Sequence, residues 1–371
     1  MRIGLFVDRL SLTDGISIAL GTLRREMESK GHEVYIFSPG DRKKKEANED
    51  PKVFYFTSPI FKDYPDFNIV TLPNNSAYEL GKKLGLDVVH SFATGPMGIS
   101  AFNVAKRLKI PSVVTASSFP HKSLDVLFTN GLKDIVHKIA IKYVKWYFSS
   151  FNCICAPSEY SSNVLQKEIG IKTREILPLG INYSEFAGKN VKKEKSKFIY
   201  AGKISREKDL DLIVSSMPSI SNRVEDANAY IYGEGPYREL LLEKAITSKI
   251  ENRIIVGSFL TKRKLASELS ASSLFLFPAQ LDTQSLSVIE GMAAGVVPIC
   301  SQDSCAYELI RGTELERFSF NNKKDFSEKV VHAHSDANEK DSELASRIAE
   351  NYDAEKMCKK HIEVYEKLVK K

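Results

Sequence analysis

FPAQLDTQSLSVIEGMAAGVVPIC, residues 277–300, reads as a strand end, a loop, a helix and a further strand. The apolar run ending at Phe277 is the strand, 278–285 the loop, and the helix runs to about Ala294, where Gly295 stops it before a strand over 296–300. Continuous apolar strands joined through a helix belong to a parallel sheet covered on both faces. The amides near Ser285, Leu286 and Ser287 are free N–H groups of a helix start and form a ready anion site. Asp282 lies in the loop and Glu290 on the helix. An acid beside a phosphate site repels it unless it serves a hydroxyl. Glu290 therefore reads as an acceptor for two vicinal ribose hydroxyls, and Asp282 as an acceptor for sugar hydroxyls. A loop acid followed by an ordinary exposed helix glutamate has the same spacing. Gly291, Ala293 and Ala294 let the helix pack close to the sheet.

The alternation extends outward from this stretch in both directions. Upstream strands fit residues 197–201, 229–232, 254–256 and 274–277, with helices starting near Arg206, Pro236, Lys262 and Ser287. Before them, AGKNVKKEKS (187–196) is polar, carries four lysines and lacks periodicity, which reads as an interdomain linker. Earlier still, strands fit 2–7, 33–37, 87–90, 112–115 and 152–155, with helical patterns over 15–30, 97–108 and 132–148. Residues 354–370 form a charged amphipathic helix. The expected fold class is α/β: two doubly wound Rossmann-like domains facing across a cleft, spanning 1–186 and 197–352, with a C-terminal helix over 353–371. Ligands of such sheets bind outside the carboxyl ends of the strands.

A second stretch, YAGKISREKD (200–209), also follows a strand. Gly202 lets the backbone turn there. Lys203 and Lys208 can converge on one diphosphate, with Arg206 as a third partner, and positive charge on a pyrophosphate neutralises the leaving group. A solvated basic loop is the competing reading. In TDGIS (13–17), Gly15 lets a ligand approach the backbone at a helix start, and a simple turn is the alternative. Neither G-x-G-x-x-G nor a Walker lysine occurs, so neither a dinucleotide cofactor nor an ATPase site is proposed. His90 ends a strand facing the cleft and is an acceptor-side candidate.

The chain has 371 residues, 43% of them hydrophobic and 27% charged, which excludes a disordered chain, a collagen-like chain and a small disulfide scaffold. The formal net charge of +6 suits an anionic small ligand or an anionic membrane surface and does not signal nucleic acid. No apolar run reaches the ~18 residues of a spanning helix, and MRIGLFVDRL (1–10) reads as a first strand rather than a signal peptide. Five cysteines without C-x-x-C spacing argue for reduced thiols in a cytosolic protein, with Cys153 and Cys155 on one face of a buried strand. No metal site is expected, and His332 and His334, two apart on a helix, do not share a face. On the helical pattern over 132–148, Lys138, Lys142 and Lys145 fall on one stripe, and Trp146 suits a membrane interface. A core helix with a solvated lysine edge is the alternative. RKKK (42–45) is a further surface contact or a solvated loop.

Together these stretches resemble the retaining, nucleotide-sugar-dependent glycosyltransferases of family 4, with the GT-B fold, over essentially the whole chain. GHEVYIFSP (31–39), DVVHSF (87–92), ILPLGIN (176–182) and YGEGPYREL (232–240, with Gly233) look like family blocks. GKISREK (202–208) is similar to the block that holds the diphosphate, with Lys203 where Arg is usual. DTQSLSVIEGMAAGVVPI (282–299) looks like the E-x7-E block, with Asp282 in place of the first Glu and Glu290 as the second. DTQS is similar to the E-T-Q-G of the diacylglycerol glucosyltransferase branch, and TSPIFKDYPDFNIVTLP (57–73) looks like that branch's Pro/aromatic segment. The resemblance implies transfer of a hexose, glucose from UDP-glucose, to a hydroxyl of a membrane glycerolipid with retained configuration. The alternatives are a soluble saccharide or polyol acceptor, or a non-catalytic nucleotide-sugar-binding protein. Lys203 and Lys208 then stabilise the departing diphosphate without a metal or other cofactor, and the final helix crosses back to the first domain. The implied location is cytoplasmic, peripheral on the inner face of the membrane. The sequence departs from the family in VVTASSFPHKS (113–123): Ser117 stands where the family places a histidine beside the reacting sugar, and His121 lies four residues later. Ser285 replaces a glycine, and Asp14–Gly15 replaces a glycine pair.

Overall fold

In the computed structural model, residues 1–11, 14–40, 49–57, 75–119, 133–189 and 191–370 are described. They divide into two units, Met1–Leu179 with Met357–Lys371, and Gly180–Lys356. The first unit holds β1 (Arg2–Phe6), β2 (Glu33–Gly40), β3 (Val53–Thr57), β4 (Val88–Ser91), β5 (Ser112–Thr115), β6 (Cys153–Ala156) and β7 (Glu175–Ile176), in the order β3-β2-β1-β4-β5-β6-β7. Every pairing in it is parallel. The second unit holds β8 (Glu194–Ala201), β9 (Asn228–Tyr232), β10 (Ile254–Gly257), β11 (Ser272–Phe277) and β12 (Val297–Cys300), in the order β10-β9-β8-β11-β12, again all parallel. Two Rossmann-like domains are the outcome, as the alternating pattern leads one to expect. The strand order reverses between β1 and β4 in one sheet and between β8 and β11 in the other. Those two reversals are where such sheets open a crevice for ligands.

Apolar strand residues meet across the sheets and under their helices. Phe6 on β1 is in register with Phe37 on β2, and their rings stack with centroids 4.3 Å apart. In the second unit Phe198, Ile199, Leu274, Phe275 and Ile299 are fully enclosed. A Cβ on Gly291 would lie 2.6 Å from the Phe275 ring, so the helix Leu286–Ala293 needs a glycine where it crosses β11.

The boundary between the units differs from the one suggested by the lysine-rich segment. The chain passes from the first unit to the second at Leu179–Gly180. Phe186 is already buried in the second core, and β8 begins inside the segment expected to be a linker. The reason is local: the first residues of β8 are exposed, so lysine is tolerated there. Lys197 on the same strand lies 3.0 Å from Glu268 and over the Tyr230 ring. β3 and β7 are strands that the apolar pattern did not mark. The final helix, Ala354–Val369, has its residues from Met357 onward in the first unit.

Candidate active site

At the reversal between β8 and β11 the loops that follow these two strands bring Lys208 and Asp282 together. Gly202, just after β8, donates its amide to the Tyr232 carbonyl at 3.0 Å, and Ile204 donates to Glu234 at 2.9 Å. These bonds lay the loop after β8 against the loop after β9. A Cβ on Gly233 (φ 156°) would fall 1.8 Å from the Gly202 carbonyl oxygen, so only glycine fits this contact. A single 3-10 turn, Arg206–Lys208, ends at Asp209 in the left-handed region (φ 52°), and the expected helix begins only at Asp211.

That turn delivers Lys208 to Asp282. The Nζ–Oδ2 distance is 2.8 Å, and the two side chains are only 16% and 23% exposed. Asp282 also accepts from the Thr283 amide at 2.7 Å. Burial pushes the Asp282 carboxyl up, but the Lys208 charge and hydrogen bond, with the Thr283 and Gln284 amides, outweigh it and hold the carboxyl below its ordinary range. Burial likewise works against the Lys208 ammonium, and the charge of Asp282 more than reverses it. Ser285 follows in the left-handed region (φ 57°), with its hydroxyl 2.7 Å from the Cys305 sulfur. The hydrogen-bond ladder of the helix Leu286–Ala293 starts where Val288 donates to the Ser285 carbonyl at 3.0 Å, which leaves the Leu286 and Ser287 amides at its head.

Glu290 lies one turn further along that helix and is 12% exposed. It pairs with Lys262, a residue the sequence reading had used only to mark a helix start. Burial raises the Glu290 carboxyl. Lys262 lowers it, Glu185 raises it, and the balance remains above the ordinary range. Lys203 is more exposed and sits 3.7 Å from Glu207. Its carbonyl accepts from the Tyr200 hydroxyl at 2.8 Å.

Arg206 does not join Lys208. In a turn of three residues, positions two apart point to different sides, and the guanidinium lies over the Tyr237 ring, 5.8 Å from its centroid. There it lines a cavity of about 270 Å³ with Asp209, Asp211, Tyr237 and Lys244. Asp209 and Asp211 have D-x-D spacing, but Lys323 lies 2.5 Å from Asp209 and Lys244 pairs with Asp211, so each acid already faces a cation.

In the first unit, Asp14 caps the helix Gly15–Ser29 by accepting from the Ser17 amide at 3.0 Å, and it pairs with Arg9 at 2.7 Å. Among the described residues, none has an atom recorded within 4 Å of the Cβ that Gly15 lacks. His90 is enclosed rather than open to a ligand: its ring bonds the Tyr365 hydroxyl at 2.6 Å and the Thr115 hydroxyl at 2.8 Å. Burial and neighbouring His361 push that ring well below the usual histidine range. Its place as an acceptor-side residue is therefore corrected to a core position, because both nitrogens are used and no surface remains. Ser117 is buried and donates to the Phe92 carbonyl at 2.6 Å. His121, Thr13 and 42–45 lie outside the described residues, as does nearly all of 57–73.

Asp8, which the sequence reading passed over, stands two residues beyond β1. It accepts from the amides of Thr94 (2.8 Å), Gly95 (2.6 Å) and Met97 (3.2 Å) beyond β4. Burial raises its carboxyl despite these amides. The signal available in the sequence was an acid directly following the first strand.

On the helix Lys133–Ser149, Ala140, Val144, Tyr147 and Phe148 are buried, and Lys138, Lys142 and Lys145 are exposed. Ile135, Ile139 and Trp146 are exposed by 57%, 61% and 52%. Among the described residues, no helix is long and apolar enough to cross a membrane.

Two Rossmann-like units, each built on an all-parallel sheet, are the architecture of the GT-B glycosyltransferases. Residues 13–185 match Glycosyltransferase Family 4, and residues 183–354 match Glycosyl transferases group 1. The chain belongs to family 4, with a group 1 domain as its second half. An alpha-monoglucosyldiacylglycerol synthase of Acholeplasma laidlawii is 27% identical over 361 residues, covering 90% of this chain and 88% of that protein. A second alpha-monoglucosyldiacylglycerol synthase, from Streptococcus pneumoniae, is 24% identical over 322 residues, covering 80% and 70%. Among solved structures, a sucrose-phosphate synthase from Thermosynechococcus elongatus superposes with a TM-score of 0.77 at 15% identity, covering 99% of each chain.

Proposed function

We propose that this protein is a retaining glucosyltransferase that moves glucose from UDP-glucose to a hydroxyl of a diacylglycerol. The observation that carries the reading is the Lys208–Asp282 pair, which joins the loops after β8 and β11 at the strand-order reversal. The acceptor class rests on the two glycolipid synthases that match most of the chain. In the proposed reaction the bond from the anomeric carbon to the diphosphate oxygen breaks and its electron pair stays with the diphosphate. Lys208 and Lys203, with the Leu286 and Ser287 amides, stabilise that charge. The lipid hydroxyl bonds to the anomeric carbon from the face the diphosphate leaves, and the departing phosphate takes its proton. Glu290 accepts from the ribose hydroxyls and Asp282 from the sugar. The lysines supply the positive charge, so a chelator leaves the rate unchanged. The test is turnover of isotopic UDP-glucose with diacylglycerol in anionic vesicles, followed by assignment of the product's anomeric configuration. An α-glucolipid is expected. A β-linked product, or transfer only to a soluble saccharide, overturns the proposal.

The helix Lys133–Ser149 supports a peripheral seat on an anionic bilayer. At 100° per residue, Ile135, Ile139 and Trp146 fall with Lys138, Lys142 and Lys145 inside an arc of about 120°. A lysine near an anionic surface contributes about 1 kcal/mol, and exposed Ile and Trp add burial at the headgroup boundary. Co-sedimentation with phosphatidylglycerol vesicles is expected, with little on phosphatidylcholine. Replacing the three lysines by glutamine is expected to abolish it, and unchanged sedimentation of that variant removes this seat.

A further inference from the structure

Glu290 has two carboxylate oxygens, and the fold uses one of them. Oε1 is engaged by the Lys262 ammonium. No described residue donates to Oε2, and Oε2 is not one of the sealed polar atoms left without a partner, so it keeps some contact with solvent. Two elements bring charge to this carboxyl: the helix Lys262–Ala271 with Lys262, and the turn Tyr183–Phe186 with Glu185. The Lys262 ammonium also lies 5.3 Å from the centroid of the Phe186 ring, which is enclosed in the second core. The ring and the carboxylate together hold this cation, and a held cation holds the carboxylate.

We propose that Lys262 is a positioning residue for the donor: it holds Oε1 of Glu290 so that Oε2 meets the vicinal hydroxyls of the nucleotide's ribose. This rests on the role given to Glu290 above. An acid set this deep ionises only when a partner compensates the lost solvation. Its burial, opposed by Lys262 and aided by Glu185, already leaves it raised. Without the ammonium the carboxyl takes up a proton at higher pH, and a protonated carboxyl loses acceptor capacity toward the ribose. Donor binding by a Lys262 variant therefore gains a pH dependence that the native protein does not share.

The experiment is calorimetric binding of UDP to the full chain between about pH 6 and pH 9, comparing native protein with Lys262→Met, Lys262→Arg and Glu290→Gln. Taking the ratio of each variant's Kd to the native Kd at the same pH cancels the titration of UDP itself. Lys262→Met keeps the stem over Phe186 and is expected to bind about tenfold more weakly at the acid end, converging on native affinity at the alkaline end. Lys262→Arg is expected to follow the native protein. Glu290→Gln is expected to lose affinity by a factor that does not change with pH. A Lys262→Met ratio that is constant with pH, or tighter binding by that variant, overturns the inference while leaving the donor site in place. Absence of UDP binding by the native protein overturns the donor site itself, and the inference with it.

Discussion

Asp8 lies two residues beyond β1, and Lys208 lies in the 3-10 turn beyond β8; both strands flank the reversal of strand order in their own sheet. Asp8 reaches across to the segment beyond β4 and is consumed by three main-chain amides. Those amides are fixed by the chain path, and a Cβ on Gly95 would lie 3.0 Å from both Asp8 carboxylate oxygens. Lys208 reaches across to the loop beyond β11 and is held by one side chain. A carboxylate that takes three main-chain donors is held in place by the chain path itself. A cation held by a single carboxylate can exchange that partner for another anion, and a diphosphate is one. Asp8 is thus held by main-chain donors, whereas Lys208 is held by a side chain that the proposed function would have it exchange for the donor's diphosphate.

Four substitutions test that contrast. Lys208→Ala is expected to have the largest effect, lowering kcat/KM for the donor by about a thousandfold, the scale seen when one preorganised donor to a developing charge is removed. A loss of less than tenfold would make this pair structural, like Asp8. Asp8→Ala leaves three amides unpaired and is expected to cost about 3 kcal/mol of stability, read by chemical unfolding, with turnover of the folded enzyme retained. Collapse of turnover at full stability would make the first crevice functional as well. His90→Ala orphans the Tyr365 and Thr115 hydroxyls and is expected to cost about 2 kcal/mol, with kcat unchanged. A kcat defect without instability returns His90 to the acceptor side. Ser285→Gly is expected to be the mildest, because relief of a left-handed backbone worth about 1 kcal/mol offsets loss of the contact to Cys305. Turnover then stays within about threefold of native, and a larger fall assigns the hydroxyl a direct role on the donor.

Strand–helix alternation carried most of the fold because buried parallel strands are continuous apolar runs, as at 274–277 and 296–300. β3 escaped notice although VFYFT is apolar and aromatic, since it sits at a sheet edge between long polar and Pro-containing stretches. β7 is two residues long and has no period to detect. The linker expectation failed at 187–196 because composition cannot distinguish a solvated strand start from a solvated tether. In the candidate site, Lys208 and Asp282 were each legible as candidates because each lies in a loop after a strand, but their direct pairing was not read. Arg206 was misplaced because the helix assumed there is a single 3-10 turn. Lys262 was out of reach: its contact with Glu290 depends on how the Tyr183–Phe186 turn and two helices pack, and spacing carries no trace of that. His90 illustrates the reverse case, since a polar residue at a strand end resembles a site residue until its partner Tyr365, far away in sequence, is located.

The passage at Leu179–Gly180 has a consequence for the chain path. Ile181 bridges Asp353, and a Cβ on Gly180 would meet the Ala354 backbone at 2.5 Å, so the entry and exit of the second unit run side by side. A segment whose two ends touch behaves as an insertion. The chain therefore enters and leaves residues 180–356 at neighbouring points, and the exit falls within the first turn of the helix Ala354–Val369.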